Sequence, residues 1–161
     1  MGKRVRILAA LGLTLTVMAA AAGCGAGDPT EGLISNLDKA RAARTLTSLQ
    51  QGLITAQVAS ADSAGGGAAG LAAALQQRDP SNRYTTAPPT DVGIVQVEGG
   101  GGGPVLLVGI TDVPSAGRPP YYLAAWENAG TTMYYIGRQP PAYTPSQPSG
   151  AGWSTTPPTP S

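Results

Sequence analysis

From Pro29 to about Ala61 the chain contains no further proline, and Gly32 and Gly52 are its only glycines. A stretch of that length with no interior proline and only two glycines predicts one long helix, because proline and glycine are the residues a helix interior tolerates least. Its start is marked by Asp28 as cap, Pro29 at the first helical position and Glu31 three residues after the cap. Leu33, Leu37 and Ala40 share one stripe, and Leu46, Leu49, Leu53 and Ala56 share another. At about 100° per residue the two stripes point to nearly opposite sides. The second half should therefore pack on a domain, with the first half as a less packed stalk or a separate turn. Lys39, Arg41 and Arg44 fall on a solvated face, with contact to phospholipid as the alternative for these three charges.

After this segment the period changes. Ser63 to Gly67 is a loop, Leu71 to Gln77 a short second helix, and Asp79-Pro80 its stop. Tyr84 to Pro89 is extended. Val92–Val97, Val105–Ile110, Tyr121–Trp126 and Thr132–Ile136 are short runs of branched and aromatic residues, which predict strands. Gly99–Gly103, Asp112–Pro120 and Asn128-Ala129-Gly130 supply the turns between them. The expectation is an α+β domain over residues 31–138, with the long helix packed on a four-stranded antiparallel meander. Residues 139–161 are dominated by Pro, Ser, Thr and Gly and are expected to form a disordered tail, with Trp153 an incidental exposed aromatic. The tail's Ser/Thr/Pro content suits O-glycosylation on composition alone.

The first 24 residues are of a different kind. Lys3-Arg4-Val5-Arg6 precedes an apolar run from Ile7 to Ala22, and Gly23 leads to Cys24, the single cysteine. A basic head, an apolar middle and small residues before a cut site make a secretory signal over residues 1–23. The run is shorter than the roughly 20 residues of a spanning helix. Ala21-Ala22-Gly23-Cys24 resembles the bacterial lipobox, with Ala21 where Leu is usual. That resemblance implies diacylation of the Cys24 sulfur, cleavage after Gly23 and acylation of the new amino terminus. A plain secretory signal and a retained helix are the two alternatives to this lipoprotein reading. Two or more acyl chains, at about 0.8 kcal/mol per buried methylene, give stable anchoring. The expected location is the extracytoplasmic face of a cell membrane, with residues 24–30 as tether and membrane lipid as the partner through Cys24.

A second resemblance covers about Leu37 to Gly137. Lys39-Ala40-Arg41-Ala42-Ala43-Arg44 with Leu46, Leu49 and Leu53 resembles the amphipathic half of a type IV pilin or pseudopilin helix. Leu71 to Leu75 up to Asp79-Pro80 is similar to the connecting loop, and the four predicted strands are similar to the sheet of pilin-like proteins. The resemblance implies a pilin-like fold and an envelope or pilus protein as partner. No acid precedes Asp28, so the early Glu of a pilin helix is missing.

The residue inventory narrows the chemistry. The chain has no His, which removes the usual neutral-pH base and the commonest metal ligand. Its one Cys is assigned to acylation, so neither a thiol nucleophile nor an ordinary zinc site is expected. The carboxylates Asp28, Glu31, Asp38, Asp62, Asp79, Asp91, Glu98, Asp112 and Glu127 are scattered. Gly99–Gly103 is followed by Pro104 and a strand, without the Lys and helix of a phosphate loop. Without Lys3, Arg4 and Arg6, seven basic residues face nine acids, a net charge of about −2 that suits no nucleic acid. Tyr121, Tyr122, Tyr134 and Tyr135 should serve core and cross-strand packing, with an exposed stacking platform as the alternative. No enzyme, cofactor or metal is expected. The function expected is a non-enzymatic structural or interaction role at the cell envelope. The alternative is a lipoprotein holding a small apolar or glycan molecule between helix and sheet.

Overall fold

In a computed structural model, residues 29–62, 66–115, 117 and 119–159 are described. Helix α1 spans Pro29–Asp62 and α2 spans Gly67–Arg78. The strands are β1 (Arg83–Thr85), β2 (Ile94–Gly99), β3 (Val105–Ile110), β4 (Tyr122–Asn128), β5 (Thr131–Gly137) and β6 (Trp153–Ser154). They form one six-stranded sheet in the order β1-β2-β3-β4-β5-β6. All neighbours are antiparallel except β1 and β2, which run parallel.

The α+β class holds, but the sheet is neither a four-stranded antiparallel meander nor a pilin-like fold. Two short outer strands account for the difference. β1 has three residues and reaches β2 through the loop from Thr86 to Gly93. β6 comes from the segment expected to be a disordered tail, and pairs Trp153 with Tyr135 and Ser154 with Tyr134. The leader, Cys24 and Asp28 lie outside the described residues.

Strand alternation sorts the side chains into two layers. On one face Val95, Val97, Leu107, Leu123 and Ala125 meet Leu49, Leu53 and Ala56 of α1 and Leu71 and Leu75 of α2. α1 covers β3 and β4, while α2 covers β1 and β2. The stripe expected to face the domain does so, with Leu46 half-buried at its edge. Full burial of each such Leu or Val contributes about 1.5–3 kcal/mol. Thr45 donates to the Ile110 carbonyl at 2.9 Å and Arg41 pairs with Asp112 at 2.6 Å, which fixes where α1 crosses the end of β3. This ion pair is half exposed, so it orients more than it stabilises.

Gly109 lets α1 approach that closely. A Cβ there would sit 2.7 Å from the Thr45 Cγ2 methyl, which is stiff at χ1 and held by its hydroxyl. Gly109→Ala is therefore expected to cost about 1–3 kcal/mol through overpacking. Urea denaturation of Gly109→Ala against Gly109→Ala/Thr45→Ser checks this, since removing the methyl should recover most of the loss.

The other face carries Leu106, Val108, Ala124, Trp126 and Met133, all buried. No helix covers it. The cover is the chain after Gly137: Tyr143 and Trp153 pack against the cluster together with Tyr122 and Tyr135. Trp126 Nε1 donates to the Thr144 carbonyl at 3.1 Å, and the Tyr143 hydroxyl donates to the Pro104 carbonyl at 3.3 Å. Pro148 is buried. The segment 139–159 is thus a strap laid over the sheet rather than a disordered tail.

Candidate functional site

Two arrangements concentrate polar or aromatic side chains. The first closes the end of α2. Proline at position 80 stops the helix, and Asp79 N–H still donates to Leu75 O at 2.8 Å. The buried Asp79 carboxylate then gathers donors from the turn and from β1. It accepts from the Ser81 N–H at 3.1 Å, the Ser81 hydroxyl, Asn82 Nδ2 at 2.9 Å and the Tyr84 hydroxyl at 2.7 Å. Gln76 completes the tie: its Oε1 accepts from Tyr84 N–H at 3.0 Å and its Nε2 donates to Asn82 O at 2.9 Å.

Burial by itself pushes the Asp79 pKa up, but the hydrogen bonds from Ser81, Tyr84 and Asn82 outweigh it and hold the carboxyl below its ordinary value. Burial, the bond to Asp79 and the Asp79 charge push the Tyr84 hydroxyl above the usual tyrosine range. A lowered carboxylate pKa contributes stability that is present above the unfolded value, about pH 4, and is lost as pH falls through the folded value. A raised tyrosine pKa contributes stability below about pH 10 that is lost as pH rises through the folded value. Asp79→Asn should flatten the acid limb of a stability–pH curve, and Tyr84→Phe the alkaline limb, measured by urea midpoints from pH 3 to 11. The charge is fully engaged by local donors, so the cluster is a clasp between α2 and β1, with no acceptor capacity left for general-base work.

Four other acids are engaged elsewhere. Asp91 binds the neighbouring Val92 N–H, Glu98 accepts from Gln96, Asp112 pairs with Arg41, and Glu127 accepts from Gly130 N–H. Glu31, Asp38 and Asp62 fall within α1. Among the described residues no three His, Cys, Asp or Glu gather as a metal site. Gly99–Gly103 joins β2 to β3 as a hairpin loop, with Gly100 N–H donating to Pro104 O at 3.1 Å.

The second arrangement is aromatic and lies on the strap side. Alternation sends Tyr134 to the helix layer and Tyr135 to the strap layer. Tyr135 meets Trp153 with ring centroids 5.2 Å apart and planes at 51°. Tyr121 precedes β4 and is exposed; the Arg138 guanidinium lies 3.7 Å above its ring and also donates to Pro119 O. The four tyrosines therefore do not share one platform. Trp153, expected to be incidental, is half-buried and paired in β6. A cleft of about 210 Å³ lies between Tyr134, Tyr135, Ile136 and the strap residues Gly152, Thr156 and Pro157. The signal that announced this surface was the unbroken apolar run of Val105–Ile110, buried at every position. A strand so composed needs cover on both faces.

Comparison with known proteins gives no family model, no curated protein and no solved structure that matches the chain.

Proposed function

We propose that this chain is an extracytoplasmic lipoprotein, anchored to a membrane through acylated Cys24, with a non-enzymatic interaction or structural role at the cell envelope. The observation that carries the reading is the leader that closes on Cys24 just ahead of a packed domain. Among the described residues no helix is long and apolar enough to cross a membrane. The interaction role is supported by the engagement of Asp79, Asp91, Glu98, Asp112 and Glu127 in local bonds or an ion pair. A small molecule held between helices and sheet has less support, because Leu49, Leu71, Leu75 and Leu107 fill that layer and are fully buried. The pilus association implied by resemblance rests on a pilin-like sheet that these strands do not form, and is not part of the proposal.

Cys24→Ala should move the protein from the membrane fraction to the soluble extracytoplasmic fraction once the leader is cut, because loss of the acyl chains removes more than about 10 kcal/mol of roughly 0.8 kcal/mol methylene contributions. Cell fractionation checks the shift, and intact-mass spectrometry of the wild-type chain checks for the acyl groups and the cut after Gly23. A wild-type chain that keeps its leader, or that carries an unmodified thiol at Cys24, overturns the assignment.

A further inference from the structure

The strap side of the sheet is a surface whose occupant is visible, and the occupant is unusual for a core layer. Residues 139–159 contain six prolines, which have no N–H to donate. The strap's main-chain ties to the sheet include the short β5–β6 pairing, the Ile136 N–H to Gly152 O bond at 3.0 Å, the Trp126 indole bond to Thr144 O and the Tyr135 hydroxyl bond to Gln139 O at 3.0 Å. Of the strap, Pro148 alone is buried. Tyr143 and Trp153 are half-buried anchors, and the cleft beside Tyr135 and Ile136 is left unfilled. An aromatic-lined face with an indole N–H aimed at a carbonyl of a proline-rich segment is the chemistry by which proline-rich peptides are recognised.

We propose that this face is a recognition surface for a proline-rich segment of a partner protein, and that residues 139–159 are its resident intramolecular occupant. The partner would present a proline, an aromatic anchor and a carbonyl to the Trp126 indole. The strap competes at an effective concentration on the order of millimolar. It therefore sets a threshold that only a tighter segment, or one presented locally, exceeds. A segment held by so few main-chain bonds opens more readily than the helix-covered layer. The proposal specifies the interaction role above and does not depend on the acyl anchor.

The test uses the full chain in detergent with a site-specific protease sequence inserted between Arg138 and Gln139, cut after folding. The probe is a fluorescent peptide of residues 139–159. The expected result is that the cut strap stays bound, and that excess probe replaces it while circular dichroism is unchanged. A probe keeping Pro140, Pro141, Tyr143, Thr144, Pro148 and Trp153 in place, with every other position shuffled, should bind within about tenfold of the native sequence, as expected when few anchors carry the affinity. A probe with Tyr143, Pro148 and Trp153 replaced by Ser should not bind. In the uncut chain, Trp153→Ala should lower the probe concentration needed by about tenfold or more, by weakening the resident competitor. Failure of the probe to exchange on an intact fold overturns the proposal, as does exchange of the native sequence but not of the anchor-only probe. If the uncut chain is a dimer by light scattering, the face serves a second copy and the foreign partner falls. The mass of the Cys24 peptide is read separately, so the anchor and this surface stand or fall independently.

Discussion

Trp126→Ala is expected to lower the unfolding free energy by about 3–5 kcal/mol, the range for removing a large buried aromatic. Trp126 is the largest fully buried side chain and is 2% exposed. It sits at the centre of the strap-side cluster, paired across the sheet with Leu106 and Met133. Its loss removes packing from β3, β5 and the strap together, and strands the Thr144 carbonyl. Trp126→Phe keeps a six-membered ring but removes the rest of the bicycle and the indole donor, so it should cost less, about 1–3 kcal/mol. Urea titrations followed by circular dichroism separate the two. In Trp126→Ala, protease cleavage after Arg138 should also precede global unfolding, because the strap has lost its central contact. A loss below about 1 kcal/mol for Trp126→Ala would mean that the strap-side layer does not form.

The second large effect belongs to the glycine hairpin. Gly99 has φ +83°, and a Cβ there would overlap the Pro104 carbonyl across the loop and approach Tyr143 Cε2 at 2.7 Å. Neither neighbour yields easily. Pro104 O already accepts from Gly100 N–H and the Tyr143 hydroxyl. Left-handed backbone costs an L-residue roughly 1–2 kcal/mol, and the overlap adds an overpacking cost, for a total of about 2–4 kcal/mol in Gly99→Ala. Gly101 is the internal control. Its φ is +67° and open space surrounds it, so Gly101→Ala should show the backbone term alone, roughly 1 kcal/mol. Equal midpoints for the two variants in thermal denaturation would remove the steric part of the argument.

These predictions depend on features of unequal legibility. The helices are legible because α1 has no interior proline and repeats Leu49, Leu53 and Ala56 on one side. β2 to β5 are legible because branched runs alternate with Gly- and Pro-rich turns. β1 is not, since a three-residue strand joined in parallel leaves no turn signature of its own. The strap escapes a sequence reading for a physical reason. Averaging its composition hides two anchors, Tyr143 and Trp153, that are spaced to meet an apolar cluster already present on β3, β4 and β5. Composition predicts disorder for a segment alone, whereas this one borrows its apolar partner from the rest of the chain. The Asp79 clasp is half visible. Asp79-Pro80 marks the helix stop, but the convergence of Ser81, Asn82 and Tyr84 on one carboxylate depends on how the chain turns into β1.

The outermost strands of the sheet, three residues on one side and two on the other, have a further effect. Fibril growth needs a long row of open amide and carbonyl groups on which an incoming molecule can add its own backbone. The two short strands interrupt the longer rows of β2 and β5 behind them, so crowded copies should remain separate molecules instead of stacking.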